Sequence, residues 1–100
     1  MSGTDEHRRS AQRQAVHWYL AGRVQGVGFR YHVREAARRH DVSGDVRNLS
    51  DGRVELRATG RSLDGFLAEV REGPSGSRVD QVESIALDPV PSFEGFEIRF

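Results

Sequence analysis

Between Gly22 and Arg30 the chain reads Gly-Arg-Val-Gln-Gly-Val-Gly-Phe-Arg, a run whose residue types suit an oxyanion ligand. Glycines at 22, 26 and 28 let the backbone turn tightly and place no side chain between it and a ligand. Phe29 opens a helical pattern, so the run ends where unpaired amide N–H groups and the positive end of a helix dipole point outward. Arg30 adds a planar, permanently charged fork matched to phosphate oxygens. Together these groups describe an anion cradle. The same spacing also serves a plain glycine-rich turn with an exposed arginine, and spacing alone does not choose between them.

Asn48 stands just before the turn signal Asp51-Gly52. An asparagine there commonly satisfies local backbone groups, and the order of elements does not by itself set it beside Arg30. The four histidines are weaker candidates. His17 lies on an alternating strand, His32 beside helix charges, His7 in the N-terminal segment, and His40 at a helix end, where a cationic ring suits the dipole. No pair of histidines with a carboxylate has metal-ligand spacing, so no metal or other cofactor is expected. Asp41 and Asp51 belong to turns. Arg34, Arg38 and Arg39 are expected to solvate a helix face, with Glu35 pairing to Arg39 at i,i+4.

These residues must be carried by a small domain, since 100 residues with 36% hydrophobic content suit one core. Formal net charge is zero, which gives no bias toward nucleic acid or acidic membranes. No apolar run approaches the ~20 residues of a membrane span, and no signal-peptide core is present, so a cytoplasmic protein is expected. Cysteine is absent, and all fifteen basic residues are arginine. Disulfides, thiol nucleophiles, lysine Schiff bases and a Walker-type lysine are therefore excluded.

Residues 1–14 lack periodicity and are expected to form a disordered tail ahead of a domain spanning 15–100. Val16, Trp18 and Leu20 alternate with His17 and Tyr19 as a half-buried strand. Phe29, Val33, Ala36 and Ala37 form the apolar stripe of a helix ending near His40. A second strand runs over about Val42 to Leu49, and a third follows Asp51-Gly52, with Val54, Leu56 and Ala58 on one face. Ser62 is the expected N-cap of a second helix, with Leu63, Phe66, Leu67 and Val70 buried and Gly73-Pro74 ending it. Val79 to Leu87 reads as a fourth strand, and Phe96, Ile98 and Phe100 as a short fifth. The order predicts an α+β, ferredoxin-like split βαββαβ sandwich. Two helices should cover one face of an antiparallel sheet, with a short fifth C-terminal strand added.

Leu20-Ala21-Gly22-Arg23-Val24-Gln25-Gly26-Val27-Gly28-Phe29-Arg30 resembles the first signature of the acylphosphatase family, and Gly44-Asp45-Val46-Arg47-Asn48, with Gly52, Val54 and Gly60, resembles the second. Gly73-Pro74-Ser75, Val79, Val82 and Phe96-Glu97-Ile98-Arg99-Phe100 follow the same layout, so the likeness covers Val16 to Phe100. The resemblance implies hydrolysis of the carboxyl–phosphate anhydride of acyl phosphates to a carboxylate and inorganic phosphate. By position it makes Arg30 the phosphate-binding arginine and Asn48 the residue that orients the attacking water. Gln25, Gly26, Val27, Gly28 and Phe29 join Arg30 as the phosphate loop. Such chemistry asks mainly for positioning and charge stabilisation, which amides and a guanidinium supply. Neither member of the pair is a base near neutrality, so the water's proton is assigned to the substrate phosphate.

Two departures from the family pattern stand out. Asp45 replaces a usual aromatic, and Asp41-Val42 replaces glycine and leucine at the end of the first helix, at a cost to its C-cap. Strand alternation sets Asp45 on the open face of the sheet, where exchange for Trp is expected to be nearly silent. The rival to an enzyme is an RRM-like nucleic-acid-binding module of the same topology. Such modules stack bases on aromatics of the middle strands, whereas Arg53-Val54-Glu55-Leu56-Arg57 has none. A domain handling carbamoyl phosphate within a larger maturation protein is a third option, set behind a free-standing hydrolase because nothing follows Phe100. The expected partner is a small-molecule acyl phosphate, with no nucleic acid, no membrane and no second subunit.

Overall fold

Alternation in the first strand sends Trp18 and Leu20 to one side, where they are 3% and 0% exposed, and His17 and Tyr19 to the other. The computed structural model describes residues 13–100. Its elements are β1 (Gln14–Arg23), α1 (Phe29–Arg39), β2 (Ser43–Asn48), β3 (Val54–Gly60), α2 (Asp64–Glu72), β4 (Arg78–Ala86) and β5 (Phe96–Arg99). Most of the expected tail, residues 1–12, lies outside the described residues. Its last residue, Gln14, already pairs with Gly60 in the sheet, and Arg13 donates to the Thr59 carbonyl at 3.1 Å. β1 therefore begins at Gln14, the last residue of the expected tail.

The strand order is β4-β1-β3-β2-β5. Each of the two βαβ units is split by a strand from the other: β3 lies between β1 and β2, and β1 lies between β3 and β4. Phe29, Val33, Ala36 and Ala37 of α1 and Phe66 and Val70 of α2 are buried against Trp18, Leu20, Val46, Val54, Leu56 and Ala58 of the sheet. The fully antiparallel sheet expected from sequence needs one correction. β5 runs parallel to β2, pairing Val46 with Ile98, so the sheet is mixed. The reason is the path of the chain. β4 runs opposite to β1, so it stops at the end of the sheet where β1 and β2 start, and the connection at 87–95 crosses there to the other outer strand, which must then run parallel to β2.

Three local expectations also change. α2 is capped by Leu63 and not by Ser62, with no side-chain capping bond, because burial of Leu63 at 4% exposure fixes the entry of the helix. Arg39 reaches across to Glu69 of α2, leaving Glu35 to Arg38 at 3.6 Å. Gly22 belongs to β1, where it pairs with Val79 just after a bulge. Its φ is 133°, and a Cβ there would collide with the Arg78 carbonyl, so this glycine serves sheet packing.

Antiparallel pairing of β1 and β2 to the same β3 makes them parallel to each other. Val54 is the register partner of Leu20 on one side and of Asn48 on the other. The C-terminal ends of β1, β2 and β5 consequently meet at one edge of the sheet, together with the N-terminus of α1.

Candidate active site

At that edge, Val24, Gly26, Gly28, Phe29, Arg30, Tyr31 and Asn48 line a cleft of about 120 Å³. Backbone conformation builds its floor. Gly28 is the N-cap of α1 in the left-handed region, φ 77° and ψ 20°, and supplies no capping side chain. A Cβ on it would meet nothing within 4 Å, so glycine is required here by the dihedral and not by crowding. The helix's first backbone bond runs from the His32 amide to the Gly28 carbonyl at 3.1 Å. Among the described residues, the amides of Phe29, Arg30 and Tyr31 accordingly have no backbone acceptor. No acidic side chain occupies the first turn to neutralise them.

Two latches hold this loop. Gln25 Nε2 donates to the Leu49 carbonyl at 2.9 Å and to the Arg53 carbonyl at 2.8 Å, tying the loop to the β2–β3 hairpin. The hairpin is set by a Leu49–Gly52 turn, with the Gly52 amide donating to the Leu49 carbonyl at 3.2 Å. At the other side, Arg30 Nη1 donates to the Arg99 carbonyl at 3.0 Å, and its guanidinium carbon lies 4.6 Å from the centre of the Phe100 ring. The guanidinium thus sits over an aromatic ring with its remaining N–H groups free of described partners.

Asn48 ends β2 beside this fork. Its Oδ1 is buried and accepts no hydrogen bond from any described group. A buried carbonyl oxygen left without a donor costs about 1–3 kcal/mol. The residue that carries this orphan lines the same cleft as Arg30 and the first turn of α1.

The structure brings together Arg30, Asn48, Gly26, Gly28 and Phe29 of the residues expected from sequence. The Gln25 side chain serves the hairpin latch, and Val27 packs against the core, so these two can contribute backbone alone. Tyr31, 53% exposed, lines the cleft and was not foreseen. The signal was available: an aromatic with a polar tip following Arg30 in the first turn.

The other candidates lie elsewhere. His17 Nε2 meets Glu55 at 2.8 Å on the opposite face of the sheet. His32 donates from Nε2 to the Glu69 carbonyl at 3.0 Å, and burial pushes its pKa down, with Arg39 adding to the fall. His40 closes α1 as expected and pairs with Glu69 at 2.9 Å. His7 falls outside the described residues. Among the described residues, no cluster of three His, Cys, Asp or Glu side chains could hold a metal ion, and no helix is long and apolar enough to cross a membrane.

Asp45 requires a correction. It lies on the helix-free face, as alternation requires, but is only 4% exposed beneath Arg57 and Arg99. That face is closed over it by salt bridges, and a Trp there would displace them.

The family model for acylphosphatase matches residues 16–98. The chain belongs to the acylphosphatase family. An acylphosphatase of Salinibacter ruber is 49% identical over 82 residues, covering 80% of this chain and 86% of its own. The crystal structure of acylphosphatase from Bacillus subtilis is similar with a TM-score of 0.83 at 34% identity, over 87% of this chain and 99% of that one. Full-length HypF, in a phosphate- and nucleotide-bound form, is similar with a TM-score of 0.81 at 32% identity, over 89% of this chain but 12% of its own. These relationships support an acylphosphatase enzyme with a small-molecule acyl phosphate as substrate and do not favour the RRM-like alternative.

Proposed function

We propose that this chain carries out acyl phosphate hydrolysis with Arg30 and the 25–30 loop holding the phosphoryl group and Asn48 holding the attacking water. The observation that carries this reading is the unpartnered Oδ1 of Asn48 at the wall of the cleft that also holds Arg30 and the free first-turn amides of α1. The amides and the guanidinium fork suit the phosphoryl oxygens. Asn48 Oδ1 accepts one O–H of the water and leaves the oxygen lone pair directed at phosphorus. As the O–P bond forms, the bond from phosphorus to the acyl oxygen breaks and its electron pair leaves with the carboxylate. The water's proton passes to a phosphate oxygen. A carboxylate departs readily, so neither a general acid nor a divalent ion is demanded, and the fixed positive cradle supplies the charge stabilisation. The scheme calls for no residue of a second copy, and a monomer acting in the cytoplasm is proposed.

Arg30→Gln, assayed with an aromatic acyl phosphate in the presence of a chelator, tests the scheme. Losing one charge-assisted contact costs at least ~1.5–3 kcal/mol, or about 10–150-fold in kcat/KM. Inhibition by inorganic phosphate should weaken in parallel. Near-normal turnover by the variant would remove Arg30 from the site, and a dialysed enzyme that revives only with added metal would remove the metal-free scheme. A phosphate monoester should be hydrolysed poorly by the wild-type protein, because its leaving group is a far poorer one.

A further inference from the structure

Asp45 is a buried charge that the hydrolysis scheme does not use. On β2 its neighbour Val46 enters the core, while Asp45 faces a 330 Å³ hollow on the helix-free side, lined also by His17, Arg47, Glu55, Arg57 and Arg99. Arg57 of β3 donates from Nε to Oδ1 at 2.9 Å and from Nη2 to Oδ2. Arg99 of β5 donates from Nε to Oδ2 at 2.7 Å. One carboxylate therefore fastens three neighbouring strands, β3, β2 and β5. The Arg57 guanidinium also lies 5.2 Å from the centre of the Phe93 ring, in the segment leading into β5.

The fastening matters because β5 is an edge strand of four residues with a ladder on one side only. Its last residue, Arg99, offers its backbone carbonyl to Arg30 Nη1 at 3.0 Å, and the next residue supplies the ring under the same guanidinium. We propose that Asp45 is a positioning residue for Arg30, acting through Arg99: it anchors the end of β5, and β5 in turn fixes the fork that receives the phosphoryl group. The proposal rests on the reading that Arg30 binds phosphate. It gives the departure at this position a role, since an aromatic there could not hold Arg99 by charge.

The test exploits a sign. Asp45→Asn removes a negative charge, so electrostatics alone would tighten binding of inorganic phosphate. Loss of positioning would weaken it. The inhibition constant for phosphate and the KM for an aromatic acyl phosphate are expected to rise about five-fold or more in Asp45→Asn, within the range for weakening one charge-assisted hydrogen bond. Arg99→Gln, at a side chain 52% exposed, cuts the same link from the other end, and because it also removes a positive charge it is read through its non-additivity with Arg30→Gln if Asp45→Asn folds poorly. Neither change should add to Arg30→Gln in a double-mutant cycle. An unchanged or smaller phosphate constant, or full additivity with Arg30→Gln, overturns the proposal.

A second readout separates this proposal from the reading beneath it. In phosphate-free protein, the NMR signals of the Arg30 side chain and the Phe100 amide should move on Arg99→Gln while those of α2 stay in place. Unmoved Arg30 signals refute the positioning role. Addition of phosphate to wild-type protein should shift Arg30, and its failure to do so would refute phosphate binding instead.

Discussion

Asn48→Ala should make the protein less active and no less stable, a combination that follows from one atom. In the free protein Asn48 Oδ1 is buried without a described partner, a state that costs about 1–3 kcal/mol. Alanine removes that unsatisfied acceptor. It also removes part of a half-buried side chain at the end of β2, where the register partner is the core residue Val54. The lost packing of the side chain offsets part of that gain, so the net change should lie between zero and a gain of about 1 kcal/mol. For a domain of this size 1 kcal/mol corresponds to roughly 4–8 °C in Tm. Activity should move the other way. A preorganised hydrogen bond made in the transition state is worth about 10²–10³ in kcat. The phosphate inhibition constant should change little, because the water and not the anion is the ligand of Asn48. Urea melts, steady-state hydrolysis of an aromatic acyl phosphate and phosphate inhibition together check the prediction. A variant that lost several kcal/mol of stability would show Asn48 to be structural. A phosphate constant rising as far as kcat falls would make it an anion ligand.

Two further outcomes are expected. Asp41 closes α1 with φ 54°, in a Schellman arrangement whose Val42 amide donates to the Ala37 carbonyl at 2.8 Å. Left-handed backbone costs a side-chain-bearing residue about 1–2 kcal/mol, less for Asp, and glycine gives back ~0.5–1 kcal/mol as unfolded-state entropy, so Asp41→Gly should add up to ~1 kcal/mol in urea melts with kcat/KM unchanged. A destabilised glycine variant would show that the Asp41 side chain stabilises the turn. Stability should also fall steeply in acid. Burial raises the pKa of Asp45, but its hydrogen bonds to Arg57 and Arg99 outweigh this and hold it below the usual carboxylate range; Glu55 is lowered likewise against burial by Arg47 and His17. Depressed values mean stability fully present above about pH 4 and lost as pH falls through the folded values. The stability gap between wild type and Asp45→Asn should thus be widest near neutrality and shrink below pH 4. A gap independent of pH would remove Asp45 ionisation as its source.

Short-range periodicity made the elements legible. The alternation of Val16, Trp18 and Leu20, the 29-33-36-37 stripe and the Asp51-Gly52 turn each placed an element correctly within a few residues. Motifs singled out Arg30 and Asn48, and the fold brings both to one cleft. Their meeting was not legible in the order of elements, because it depends on β1 and β2 both pairing antiparallel to β3, which ends them on the same side of the sheet. What sequence did not show depends on contacts between distant residues. Gly22 is glycine because of the Arg78 carbonyl, Arg39 turns to Glu69 and not Glu35, and Asp45 is buried by Arg57 and Arg99. No local pattern encodes the partner in any of the three. Direction of β5 was missed for a similar reason, since the nine-residue span 87–95 fixes its sense only once β4 is placed at the far side of the sheet.

The convergence of strand ends has a practical consequence for handling the protein. Phe100 lies under the guanidinium of Arg30, so any polypeptide appended to it would begin at the mouth of the cleft. β1 starts at the opposite edge, and its ten residues put that end roughly 30 Å away at ~3.3 Å per residue. Affinity tags, fluorophores and fused domains therefore belong ahead of β1, and a tag after Phe100 should register as a rise in KM before it registers as anything else.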